Sequence, residues 1–104
     1  MADGMSRLRR QPVYFVLLPQ TLLLDVAGPA EALRMANRQQ SGVRFDVHYV
    51  GPCFDTPTSV GLVLKGVAPL PRTLPEDAMV VLAGTVNDPI RASAAADPLW
   101  RVPD

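Results

Sequence analysis

Asp25 stands in an apolar stretch, LLLDVAGPAEAL from Leu22 to Leu33, with a Gly28-Pro29 pair and a second acid, Glu31, close behind it. A carboxylate so placed has two physical uses. It can meet the positive end of a helix dipole, or it can project into a cleft and orient or exchange a proton with a ligand. Gly84-Thr85, after the apolar run AMVVLA, is the other candidate, because a glycine lets backbone N–H groups approach a ligand closely. Cys53, between Pro52 and Phe54, has no basic neighbour in sequence to lower its pKa and reads as a half-buried structural thiol. His48 has no second His or Cys at ligand spacing, so neither a metal nor another cofactor is expected. Arg7, Arg9 and Arg10 could touch phosphate but read as part of a solvated leader, and Tyr14, Tyr49 and Trp100 read as packing residues.

The chain as a whole narrows these options. Ten Lys and Arg balance ten Asp and Glu over 104 residues, without the basic excess of a domain that neutralises many phosphates. A single cysteine excludes an internal disulfide framework and suits a cytoplasmic protein. MADGMSRLRRQ followed by PVYFVLLPQTLLLDVA superficially resembles an export signal, but Pro19, Gln20 and Thr21 interrupt the apolar run and Asp25 interrupts it again. No window approaches the roughly 20 continuous apolar residues of a membrane-spanning helix.

The elements that would position Asp25 and Gly84 follow from periodicity. Residues 1–11 are polar and read as a disordered leader, with the folded portion over 12–104. Val13 to Leu18 is short, apolar and rich in β-branched and aromatic residues, which predicts a strand buried on both faces. Leu22, Leu23, Val26, Ala30, Leu33 and then Ala36 or Asn37 recur at helical spacing; Gly28-Pro29 predicts a break or kink near Ala27, with Pro29 in the first turn of the continuing helix, and Ser41-Gly42 a stop. Arg44 to Val50 alternates as a strand with one polar face. Thr58 to Leu64, around Gly61, predicts a small edge hairpin or excursion, Pro69 to Pro75 a loop, and Ala78 to Ala83 a second central strand. Asn87-Asp88-Pro89 predicts the start of a further helix. Two apolar strands separated by a helix imply an α/β fold: a partial doubly wound, flavodoxin-like, mostly parallel sheet with helices on both faces. In such sheets ligands sit outside the carboxyl ends of the strands, where Asp25 and Gly84 would be neighbours.

VYFVLLPQTLLLDVAGPAEAL, then FDVHYVGP, TSVGLVLKG and LPEDAMVVLAGT, resemble the start of the DJ-1/PfpI superfamily, which is also described as class I glutamine amidotransferase-like. The closest branch is the amino-terminal sensor domain of bacterial GlxA-like, AraC-type transcriptional regulators. The likeness spans about Val13 to Thr85 and is sharpest in Asp25, Gly28, Pro29 and Glu31. In catalytic members the acid matching Asp25 faces a nucleophilic cysteine on a sharp strand-to-helix turn, and the loop matching Gly84-Thr85 lines the pocket. Catalytic relatives often carry paired glycines in that loop, and Thr85 in the second place argues against an oxyanion-hole role.

By that resemblance the cysteine elbow follows a further helix and strand, beyond Asp104, and Cys53 does not correspond to it. The chain is therefore expected to be the opening fragment of a non-catalytic sensor domain in a cytoplasmic regulator of transcription. Asp25, Gly84 and Thr85 would bind a small, nitrogen-containing metabolite, with Gly28, Pro29 and Glu31 supporting them. DNA would be read by a separate helix-turn-helix domain, the full-length protein would be a homodimer, and no membrane partner is expected. The alternatives are a truncated DJ-1/PfpI-type enzyme, such as an isocyanide hydratase or another hydrolase or lyase, and an inert fragment whose uncovered sheet associates.

Overall fold

A computed structural model of the chain describes residues 8–86. In chain order these form β1 (Arg9–Val16), α1 (Leu23–Gln39), β2 (Val43–Val50), β3 (Asp55–Pro57), β4 (Val63–Lys65) and β5 (Met79–Leu82). The helix expected from Asn87 onward and Trp100 lie outside the described residues, as does Arg7.

The fold is mixed α/β. Its main sheet has the order β2-β1-β5, and both ladders are parallel, Arg9↔Val43 to Val16↔Val50 on one side and Val13↔Met79 to Val16↔Leu82 on the other. Parallel neighbours need a crossover, and α1 supplies the one between β1 and β2. Val13, Phe15 and Leu17 of the central strand and its exit are 0–1% exposed and pack with Val26 of the helix, with Ala30, Leu33, Phe45 and Val47 closing around them. The period-2 positions of β1 thus meet the period-3.6 positions of α1 in one core layer. At about 25 cal/mol per Å² of buried apolar surface, this layer is the main source of cohesion.

Three expectations change. β1 begins at Arg9, so Arg9 and Arg10 belong to the sheet and not to a leader; Arg10 pairs with Asp46 on β2 at 3.0 Å. The pairing partner across the ladder, which a single segment does not reveal, is what makes this polar stretch a strand. The helix does not break near Ala27. It runs continuously through Gly28 and Pro29, both on its exposed side, where water can reach the carbonyl that proline leaves without an N–H partner. β5 is not a central strand among the described residues: it pairs only with β1, and Met79, Val80 and Leu82 are 45–75% exposed. An apolar run reports a demand for burial but not which neighbour meets it. The described residues hold one helix, covering one face of the sheet; the second helix expected from the sequence would begin at Asn87, outside them.

The hairpin forms as expected around Gly61, with φ of 89° at that turn, but its pairing reaches outward to Asp55 and Lys65. Thr58 closes the loop, its Oγ1 and N donating to Leu62 O at 2.7 and 2.8 Å.

Candidate functional site

The carboxyl ends of β1 and β5 lead into two segments that clasp each other. Leu22 N donates to Gly84 O at 2.8 Å, and Gly84 N donates to Asp25 Oδ2 at 3.1 Å, so both backbone groups of Gly84 are held by the β1–α1 junction. Thr21 forms an antiparallel bridge with Thr85, and Val86 N donates to Gln20 O at 3.2 Å. A Cβ at Gly84 would stand 3.1 Å from both Asp25 Oδ2 and Leu22 Cδ1, tighter than ordinary packing, so the close approach itself favours glycine there. The structure thus brings together Asp25, Gly84 and Thr85 at one rim of the parallel sheet.

The local chain explains why Asp25 points there. Leu22 is the residue before the helix and offers no side-chain cap; Asp25 lies in the first turn, where its charge complements the helix dipole. The exposed N–H of Leu23 is met from outside the helix by Ser59 Oγ at 3.4 Å, and Ser59 N donates to Thr21 O at 2.8 Å. Gln20 N donates to Pro57 O at 2.8 Å, so the β3–β4 hairpin buttresses the same junction. Gln20 itself has φ of 67°, a left-handed conformation that is uncommon for a residue with a side chain and is held here on both sides by backbone hydrogen bonds.

Chemically, the rim offers an exposed carboxylate with Oδ2 already engaged and, among the described residues, no hydrogen bond to Oδ1. It is suited to accept from an N–H or O–H donor. The Gly84 N–H is satisfied by Asp25, so it serves an oxyanion only if that carboxylate moves away. Glu31 is not drawn into this arrangement: it is exposed and paired with Arg34 at 2.7 Å along the helix. Gly28 has nothing within 4 Å of where a Cβ would stand, and Pro29 is exposed.

Cys53 is half-buried, and burial pushes its thiol above the ordinary 9.0, away from the thiolate a nucleophile needs. His48 stacks on Tyr14 with ring centroids 4.6 Å apart. Among the described residues no three or more His, Cys, Asp or Glu side chains are grouped to hold a metal, and no helix is long and apolar enough to cross a membrane. Among the described residues, clefts beside α1 are lined by residues other than Asp25. One of about 320 Å³ is lined by Leu17, Val26, Ala30, Leu64 and Val67, with Lys65 at its edge; one of about 340 Å³ lies over Phe45 and Val47 beside Glu31 and Arg34.

Sequence reasoning missed Gln20, Thr21 and Ser59. Ser59 carried no signal, because its role depends on a hairpin returning to the start of a distant helix. Comparison with protein-family models, with curated proteins and with solved structures finds no match to this chain.

Proposed function

We propose that the chain is the opening part of a non-catalytic, small-molecule-sensing domain of a cytoplasmic AraC-type transcriptional regulator, with the rim at Asp25, Gly84 and Thr85 as its ligand site. The observation that carries this reading is the 3.1 Å contact between Gly84 N and Asp25 Oδ2. It joins two segments far apart in sequence at the carboxyl ends of β1 and β5. The strand order supports it: β1 lies between β2 and β5, and in open parallel α/β sheets ligands sit outside the carboxyl ends of the strands. The doubly wound architecture is part of the proposal. So is the ligand class, a small metabolite carrying N–H donors, chosen because the exposed group is an acceptor.

Occupancy would be passed to helix-turn-helix elements of the regulator, since a chain of zero net charge is poorly suited to phosphate contact. The test is calorimetric titration of the chain with a panel of small amines, guanidines and amides, repeated on Asp25→Ala. Binding by one class that disappears in the variant supports the reading. A panel that never binds, or binding indifferent to Asp25→Ala, rejects it.

A further inference from the structure

Among the described residues, β2 lies at one edge of the main sheet. In a parallel ladder alternate residues direct their backbone groups toward the neighbouring strand and away from it. Gly42 O and Val50 O accept from Arg9 N and Leu17 N, so that parity faces β1, and Val43, Phe45, Val47 and Tyr49 face outward. Such an outward row is the template on which another chain adds a strand.

Here the row is largely occupied. Asn37, near the end of α1, donates Nδ2 to Phe45 O at 3.0 Å and accepts from Phe45 N at Oδ1 at 2.8 Å. Gln40, just past the helix, repeats the pattern: Nε2 donates to Val43 O at 2.6 Å, and Oε1 accepts from Val43 N at 3.1 Å and Gly42 N at 3.2 Å. At the far end Ala68 N donates to Tyr49 O at 2.9 Å and Ala68 O accepts from Gly51 N at 2.9 Å. A carboxamide carries the donor and acceptor of a peptide group, so each side chain stands in for one residue of an added strand. Val47 is the outward position left without such a partner among the described residues. Asparagine is a poor helix former, and at position 37 it occupies a place in the helical repeat where an apolar residue would be ordinary. Its two bonds to Phe45 account for it.

We propose that Asn37 and Gln40 form an edge lock, which prevents β2 of one chain from pairing with β2 of a second copy. The test compares the full chain with Asn37→Leu by amide hydrogen exchange and by sedimentation velocity over a concentration series. In the variant the Phe45 amide is expected to exchange about tenfold faster or more, and self-association to rise above that of the unaltered chain. Adding Val47→Pro to Asn37→Leu removes an outward N–H without touching the β1 ladder and is expected to abolish the extra association. Asn37→Asp, which keeps the acceptor for Phe45 N but replaces the donor by a carboxylate oxygen that repels Phe45 O, is expected to expose that carbonyl and raise association above that of the unaltered chain, and serves if Asn37→Leu does not fold. Unchanged exchange at Phe45, association no greater than that of the unaltered chain, or association that persists with Val47→Pro would overturn the proposal.

Discussion

Replacing Asp25 separates the two things its carboxylate does. As hydrogen-bond acceptor for Gly84 N at 3.1 Å it ties the turn after β5 to the start of α1, and as a charge in the first turn it meets the helix dipole. An intramolecular hydrogen bond contributes about 0.5–1.5 kcal/mol net, and an exposed first-turn acid about 0.3–1 kcal/mol. Asp25→Ala loses both and should lower stability by about 1–2 kcal/mol. Asp25→Asn keeps an acceptor oxygen and loses only the charge, about 0.3–1 kcal/mol. In urea, where small proteins lose about 1–3 kcal/mol per molar denaturant, the alanine variant should unfold at a midpoint about 0.3–2 M lower. The Gly84 amide should exchange about five- to thirtyfold faster in Asp25→Ala and about two- to fivefold faster in Asp25→Asn. The difference between Asp25 and Asp25→Asn should shrink at high salt, which screens the dipole contribution and leaves the hydrogen bond. Equal midpoints and equal Gly84 exchange in the asparagine and alanine variants would show that the bond contributes nothing and remove the physical basis of the site.

Gly51→Ala should be among the most damaging single changes in the fold. A Cβ there would fall on the carbonyl oxygen of Leu17 and come within 3.3 Å of its carbon, both backbone atoms in a fully packed region; a loss of about 3 kcal/mol or more, read as failure to give a cooperative urea transition, is expected. Cys53 should alkylate more slowly in the folded chain than in urea from about pH 8 upward, because burial raises the folded thiol above 9.0. With the folded value above the unfolded one, the contribution of this thiol to stability is fully present below the unfolded pKa and lost as pH rises through the folded one. Equal alkylation rates would contradict that burial.

The parts legible from residues alone were those governed by local pattern. The continuous apolar run from Val13, the helical repeat through Val26, Ala30 and Leu33, the turn at Gly61 and the stop at Ser41-Gly42 all appear close to where periodicity and glycine chemistry put them, although the run alternates between buried and half-buried positions instead of being buried on both faces. The pairing of Asp25 with Gly84 was also anticipated, because the carboxyl ends of parallel strands converge on one rim. The start of β1 was misplaced, since Arg9 and Arg10 are polar and become strand only through the β2 ladder. The unbroken passage of α1 through Gly28-Pro29 was missed because local sequence does not say which side of a helix faces water.

What the sequence determined by itself, among the described residues, is the kind of piece the chain is built from: two short apolar strands, a helix with an acid in its first turn, and a glycine after the second of those strands. Hydrophobic period and backbone allowance are properties of neighbours along the chain, so they can be read from it. The tertiary structure alone decided that β1 lies between β2 and β5, that Ser59 of a hairpin meets the start of a helix, and that Asn37 and Gln40 cover an edge. Those depend on which segments meet in space, where the partners of exposed backbone groups come from distant positions and no local preference points to them.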